Sequence, residues 1–299
     1  MPTAIRSLLD LLDLDEIGPD TFRGLSPTHG WRRIFGGQAV AQALIAASRT
    51  VTGRAAHSLH GYFILPGDPR LATTFRVERV RDGGSFSTRR VVACQDERAI
   101  FIMSASFHRD EDGFDHHEEM PPGVPEPEEL PSEEALLRAF LARQVPDHIR
   151  SFWDRERPVE LRPVRPRDFT DPGVGEPRHL VWFRSSGPMP DDPALHRCVL
   201  AYATDFTLLD TALIPHGYSV FDKRLMVASL DHAVWMHRPF RADEWMLYVQ
   251  TSTNAHGARG FTRGSVFSRS GTLVASVAQE GLIRRRTRRS DSDSDLPIK

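Results

Sequence analysis

The sequence predicts an α+β fold in which two similar units each wrap an antiparallel sheet around one buried helix. Two observations predict it. In each half of the 299 residues, an apolar helix-like segment is followed by several strand-like segments. Short pieces of the first half also recur in the second, as 62–66 does in 235–239, at offsets of 173 to 175. Internal repetition indicates a duplicated architecture. Two such sheets, joined edge to edge in one chain, would pair their edge strands and hide them.

The first half contains two predicted helices followed by four predicted strands. Residues 3–15 have apolar positions on one helical face, and the helix at 39–48 is rich in alanine and apolar enough to be buried. Alternating segments then predict strands at 57–65, 71–81, 85–94 and 99–108. Asp82-Gly83-Gly84 marks a turn between the second and third strands.

The second half repeats this plan after a Pro-rich, charged stretch. A helix is predicted over 193–213, with Asp192 as its N-cap and Pro193 in the first turn. Predicted strands precede and follow it at 179–183, 227–237, 244–253, 260–268 and 272–283. We therefore divide the chain into a first unit (1–115), a linker with a short helix beginning at Ser132 (116–176), a second unit (177–286) and a disordered tail (287–299).

Composition excludes several classes of protein. A net charge of -2 provides no overall attraction to nucleic acid, so no nucleic-acid partner is expected. Cys94 and Cys198 each lie in an apolar run, which is typical of small buried side chains in a reducing compartment. The sequence has no run of about 18 apolar residues and no secretory leader pattern, so we expect no membrane span and a cytoplasmic location.

Asp205 is the residue in the predicted long helix that demands an explanation. It lies at the edge of an apolar stripe formed by Leu195, Cys198, Val199, Tyr202, Phe206, Leu209 and Leu213. A carboxylate in such surroundings is costly unless it is paired or hydrogen-bonded. Two interpretations stay open at this point: Asp205 faces solvent or caps a loop, or it is a catalytic carboxylate held in a pocket.

Several motifs, in the same order, resemble the acyl-CoA thioesterase II (TesB-type) family over residues 5–286. The most specific is Trp-x-His-Arg-Pro-Phe at 235–240, together with Ala-Arg-Gly-Phe at 258–261 and Gln-Glu-Gly at 279–281. Further similar pieces lie at 35–38, 57–60, 81–87, 231–234 and 274–278. The resemblance implies a double hotdog fold and hydrolysis of fatty acyl-CoA to free fatty acid and CoA, with no metal or organic cofactor.

The resemblance also implies a catalytic trio of Asp205, Ser229 and Gln279. Ser229 stands where the family has threonine, so the hydroxyl is kept and a methyl group is lost. His57 matches a histidine of the family and is a secondary candidate, with a structural role favoured. The first half has no carboxylate on its helix, and Ser106 occupies the place corresponding to Gln279. We therefore expect the second half alone to supply the acid–base groups.

These residue types suit attack of water on a thioester. Asp205 can accept a proton from water, and burial would raise its pKa and make it a stronger base. The Ser229 hydroxyl and the Gln279 amide can orient that water. Backbone N–H groups at Gly36, Gly37 and Gln38, where a helix begins, are candidates for an oxyanion site; alternatively, the glycines only form a tight turn.

Other chemistries are less well supported by the residues. His116, His117, Glu118 and Glu119 lack the spacing of a metal-hydrolase helix, and no Gly-x-Ser-x-Gly elbow occurs. The alternatives that remain are an acyl-CoA-binding protein without turnover and an enzyme of the enoyl-CoA hydratase type. The expected partners are an acyl-CoA substrate and further copies of the chain, in a homodimer or homotetramer.

Overall fold

The computed structural model describes residues 3–27, 33–132, 135–136, 138–139, 157–168 and 171–286. Within those residues, thirteen strands form one antiparallel sheet that runs through both halves. The strands are β1 Asp15–Gly18, β2 Thr21–Gly24, β3 Ala55–Phe63, β4 Thr73–Asp82, β5 Phe86–Gln95, β6 Arg98–His108, β7 Val159–Pro163, β8 Arg178–Ser185, β9 Leu225–Ser229, β10 Asp231–Met236, β11 Met246–His256, β12 Arg259–Ser268 and β13 Leu273–Arg285. Their order is β1-β2-β4-β5-β6-β3-β10-β13-β12-β11-β8-β7, with β9 also paired to β13.

The two halves join where β3 pairs with β10. Tyr62 lies opposite Asp231, and Ser58 lies opposite Trp235. This pairing satisfies the backbone groups of two strands that would otherwise be sheet edges. It confirms the predicted α+β class, with two helix-wrapped antiparallel sheets joined edge to edge.

The α-helices that are described over their full length are α1 Thr3–Leu12, α2 Gly36–Ser48 and α3 Pro193–Thr204. All but the first and last residues of α2 are buried, because its alanine-rich surface allows close approach on every side. The helices α2 and α3 pack on each other in a core shared by both halves. The catalytic candidates lie where the N-terminus of α2 meets the C-terminus of α3.

The predicted helix over 193–213 was wrong in length. α3 ends at Thr204, and the chain continues through turns into short 3-10 helices at Leu209–Ala212 and Ile214–His216. The apolar periodicity persists because this segment stays buried. Asp205, Thr207, Asp210 and Thr211 are weak helix formers, so little helix propensity opposes the end of α3 at this point.

The predicted strands agree with the structure to within three residues at each end, with one exception. The single strand expected over 227–237 is two strands, β9 and β10, separated at Leu230. The Leu230 amide still bonds to the Glu280 carbonyl, so both strands follow β13. As a result, Ser229 is the last residue of β9 and does not lie inside one longer strand.

The first part of the predicted linker is packed against the second half. The Trp182 indole donates to the Pro125 carbonyl (2.9 Å), and Arg269 pairs with Glu126 and Glu128. Met120, Val124 and Leu130 cover a small apolar cluster around Trp182 and Trp245. This stretch is therefore a strap across the sheet. Most of the helix expected after Ser132, and the tail at 287–299, lie outside the described residues.

Among the residues that the structure describes, one segment, Pro193–His216, is long and apolar enough by composition to cross a membrane. Within the protein, 72% of its most apolar window is buried. That burial is what the central helix of a packed core shows, since its apolar surface is already covered by the sheet and by α2.

Candidate active site

Asp205, Ser229 and Gln279 converge on one carboxylate. Gln279 Nε2 donates to Asp205 Oδ1 at 2.6 Å, and Ser229 Oγ donates to the same oxygen at 3.2 Å. The Gly37 backbone amide also donates to the Asp205 carboxylate. Three donors from three separate parts of the chain therefore hold one buried side chain, which is 9% exposed.

Strand pairing and a helix end bring these groups together. Asp205 directly follows the last residue of α3, so its side chain leaves the helix and points toward β9 and β13. Ser229 lies opposite Gly281, two residues beyond Gln279 on β13. Because side chains two apart on a strand share a face, Gln279 and Gly281 both face the helices. Gly281 has no side chain, which leaves room there for Leu209.

The N-terminus of α2 is built to approach Asp205 closely. A Cβ on Gly36 would lie 2.6 Å from Asp205 Oδ2, and a Cβ on Gly37 would clash with the Tyr202 carbonyl of α3. Both positions therefore require glycine. The partial positive charge of a helix N-terminus stabilises a nearby carboxylate. The two glycines thus let the start of α2 serve as part of the Asp205 environment.

Burial dominates the electrostatics of Asp205. Removal from water raises its pKa from 3.8 to about 6, while the hydrogen bonds from Gln279, Ser229 and Gly37 oppose the rise. Aromatic rings pack together beside this segment of the chain: Phe35 lies against Tyr202 and Phe206 at centroid distances of 5.1 and 4.6 Å. The carboxyl group therefore titrates near neutral pH, where a general base is most effective.

The side-chain amide of Gln279 binds Asp205 through its nitrogen only, and its oxygen has no hydrogen-bond partner among the described residues. The oxygen, Oε1, is buried. A buried amide oxygen without a donor is costly. The Gln279 Oε1 atom therefore offers an acceptor beside the carboxylate for a bound molecule that carries a proton.

Two family models match the chain: acyl-CoA thioesterase over residues 152–282, and acyl-CoA thioesterase N-terminal domain over residues 26–108. Human acyl-coenzyme A thioesterase 8 is 40% identical, over 97% of this chain and 93% of its own length. Acyl-CoA thioesterase 2 of Haemophilus influenzae is 39% identical, over 95% and 99%. The chain belongs to the acyl-CoA thioesterase family.

Solved structures agree with this assignment to the acyl-CoA thioesterases. Acyl-CoA thioesterase II TesB2 of Mycobacterium marinum is 43% identical, with a TM-score of 0.77 over 94% of this chain and 99% of its own. A hot dog fold protein of Alicyclobacillus acidocaldarius is 20% identical, with a TM-score of 0.75 over 94% and 99%. The latter supports the fold alone. The double hotdog expected from the resemblance is confirmed.

The sequence reasoning missed a set of buried groups that fixes the end of α3 in this thioesterase. The Tyr248 hydroxyl donates to the Thr204 carbonyl at 3.2 Å. Thr204 Oγ1 donates to the Ala201 carbonyl and lies 3.0 Å from His232 Nε2. Because the threonine has only one hydroxyl proton, His232 Nε2 must be the donor in that bond. These bonds hold the residue that precedes Asp205.

His232 is a neutral donor in this arrangement. Burial lowers its pKa to about 3, and its Nδ1 has no partner among the described residues. The only sequence signal for His232 was its place in the Asp-His motif at 231–232. No sequence signal marked Tyr248 as functional, because the alternating pattern around it is that of any strand with one buried face.

The secondary candidate His57 lies in a different cluster. Its Nε2 is 2.8 Å from Ser106 Oγ, and its ring packs against Phe86 and His108. Ser106 is partly exposed, whereas its neighbours Ala105 and Phe107 on β6 are buried. Ser106 therefore faces away from α2. It does not occupy the position that corresponds to the inward-facing Gln279.

Two of the three predicted oxyanion amides, those of Gly37 and Gln38, already have partners in this structure. The Gly37 amide donates to Asp205, and the Gln38 amide donates to the Phe35 carbonyl at 3.1 Å. The Gln38 side chain reaches Ser26, Gln42 and the Leu25 carbonyl. An oxyanion role for this segment remains a prediction.

Metal-binding residues do not gather in the part of the chain that the structure describes. No group of three His, Cys, Asp or Glu side chains there is arranged to hold an ion. His116 and Glu118 of the charged run belong instead to the strap, where they contact Arg238 and Ser265.

Proposed function

We propose that this chain hydrolyses fatty acyl-CoA thioesters to free fatty acid and CoA through a water molecule activated by Asp205 and oriented by Ser229 and Gln279. The observation that carries the proposal is the convergence of three hydrogen-bond donors on a buried carboxylate whose pKa is raised to about 6. A carboxylate in this state is ionised at neutral pH and is a stronger base than an exposed one.

The bonding at Gln279 and Ser229 gives the water a fixed position. Gln279 Oε1 is the free acceptor beside Asp205, so a water that donates one proton to Asp205 can donate the other to Gln279. The Ser229 hydroxyl donates its hydrogen bond to Asp205 and thereby fixes the orientation of the carboxylate. With both water protons engaged, an oxygen lone pair is directed away from the protein groups and toward the substrate carbonyl.

The reaction is then a balanced addition and elimination. Water oxygen bonds to the thioester carbon as Asp205 takes one proton, which produces a tetrahedral oxyanion. The oxyanion collapses, the carbon–sulfur bond breaks, and the proton on Asp205 passes to the departing thiolate. Protonated Asp205 is a weaker hydrogen-bond acceptor, which frees the Gly37 amide for the oxyanion. The predicted oxyanion role of the Gly36–Gly37–Gln38 segment fits this stage of the reaction.

The proposal is tested by thiol release from acyl-CoA of increasing chain length, with Asp205→Asn as the test variant. Asp210→Asn is a matched control, because burial also raises the pKa of Asp210, to about 7, at a site five residues along the chain. We expect Asp205→Asn to lower kcat by about 10²–10⁴-fold and Asp210→Asn to retain turnover.

Binding of acyl-CoA to the Asp205→Asn protein should persist, because Asn keeps the shape and the acceptor oxygen. Near-normal turnover by Asp205→Asn would refute the assignment of the base. Acyl-CoA binding by the unaltered chain without any thiol release would instead favour a non-catalytic binding protein.

A further inference from the structure

A pocket lies where Leu225 of β9 and Arg285 of β13 meet the β11–β12 hairpin. Its volume is about 250 Å³. None of the described lining residues is acidic, whereas His216, His256, Arg259 and Arg285 line it. The whole chain carries a net charge of -2, so the positive lining is a local feature of this pocket.

Arg285 is the cation best placed to bind an anion there. It has no carboxylate partner among the described residues, and its guanidinium lies 5.8 Å from the centre of the Tyr218 ring. The Arg224 guanidinium lies 5.1 Å from the same ring and is paired with Asp222. Contacts of this kind hold a guanidinium in place without neutralising it. Tyr218 thus presents Arg285 at the wall of the pocket.

Arg259 is a second cation among the lining residues. It follows a two-residue hairpin turn in which Gly257 and Ala258 both have positive φ, 58° and 60°. This turn type suits the twist of a tight hairpin and sets Arg259 directly beside Leu282 of β13. Glu280 pairs with Arg259 at 3.0 Å and leaves the remaining guanidinium donors available.

The distance from this pocket to the candidate active site matches the substrate. Ser229 and Leu225 lie four residues apart on one face of β9, about 14 Å at about 3.4 Å per residue, and Leu225 lines the pocket. Val227 lies between them on that face and is partly exposed. The pantetheine arm of CoA contains two amides and has the length of about four extended residues, about 14 Å.

We propose that the phosphate-bearing nucleotide end of CoA binds in this pocket, with Arg259 and Arg285 on its phosphates and the pantetheine arm along β9. The inference rests on the proposed function, since the thioester must lie at Asp205 when the nucleotide is bound. Arg is well suited to this task because its planar donors match phosphate oxygens.

The test compares two thioesters of the same acid: octanoyl-CoA, and octanoyl-N-acetylcysteamine, which lacks the nucleotide. In the Arg259→Gln/Arg285→Gln variant we expect KM for octanoyl-CoA to rise by about tenfold, with kcat within about twofold, since partly exposed charge-assisted bonds are lost. The kinetics with octanoyl-N-acetylcysteamine should not change. Arg76→Gln, which breaks an exposed pair with Glu97 in the first half, is the control.

A wild-type measurement supports the test without any variant. KM for octanoyl-CoA should rise between about 0.05 M and 0.3 M salt, because screening weakens phosphate contacts, while KM for the cysteamine thioester should stay constant. The proposal is overturned if the double variant binds octanoyl-CoA normally, or if both substrates suffer equally. Failure of the proposed function gives a different result: Asp205→Asn would hydrolyse the cysteamine thioester at the normal rate.

Discussion

Replacement of Asp205 by Asn is expected to increase the stability of the protein while it removes activity. Asn has the same shape, and its single side-chain oxygen can accept from Gln279 and Ser229 as Asp205 Oδ1 does, so these two contacts survive. The substitution removes the buried negative charge, and burial of that charge lowers the stability of the folded protein. The gain in stability should therefore depend on pH in a defined way.

The magnitude follows from the pKa of Asp205, which burial raises from 3.8 to about 6. A carboxyl group whose pKa is higher in the folded protein than in the unfolded chain lowers the free energy of unfolding at every pH at which the unfolded chain is ionised. The penalty is absent well below pH 3.8, grows as pH rises to about 6, and is constant above. It amounts to about 3 kcal/mol at pH 8 and about 1 kcal/mol at pH 4.5, at 1.36 kcal/mol per pKa unit.

Urea unfolding at pH 4.5 and pH 8 measures this directly. Asp205→Asn should exceed the wild type by about 3 kcal/mol at pH 8 and by about 1 kcal/mol at pH 4.5. Asp68→Asn is the control with the opposite sign, because a hydrogen bond from Arg70 lowers the pKa of Asp68 to about 2. It should not gain stability at pH 8. An equal difference at both pH values, or a less stable Asp205→Asn protein at pH 8, would refute the reasoning.

Further outcomes are expected in kinetic assays. The value of kcat should fall about tenfold per pH unit below pH 6, as Asp205 becomes protonated; a flat profile down to pH 5 would contradict this. Ser229→Thr should retain activity and Ser229→Ala should lose about tenfold in kcat, measured by thiol release. Tyr248→Phe, which removes the hydrogen bond to the Thr204 carbonyl, should lower kcat about tenfold with KM unchanged, whereas His57→Gln should leave both values within about twofold of the wild type.

Local patterns in the sequence were sufficient for most of the strands and for Asp205 as an isolated carboxylate, whereas Ser229 and Gln279 were identified only through the family resemblance. Alternation and turn residues depend on neighbours along the chain, so β4, β5, β6 and β12 were located to within two residues. The duplication was visible because pieces of the first half recur in the second, and Asp205 was visible because it lies beside an apolar stripe.

Other features depended on contacts between distant segments. The sequence pattern continued the apolar stripe past Thr204, but Asp205 leaves the helix because donors from β9, β13 and α2 meet it there. The break at Leu230 lets one stretch of chain follow β13 while β10 also joins β3. No local pattern encodes such pairings.

The sequence by itself determined which residues are apolar, where strands alternate, and that a carboxylate, a hydroxyl and an amide were available in the second half. Only the tertiary structure decided that Gly37 of the first half donates to Asp205 of the second, and that Tyr248 and His232 hold the preceding residue. The physical reason is that the three-dimensional positions of residues determine their hydrogen-bond partners and their burial. Residues more than 160 positions apart become neighbours only when the chain folds.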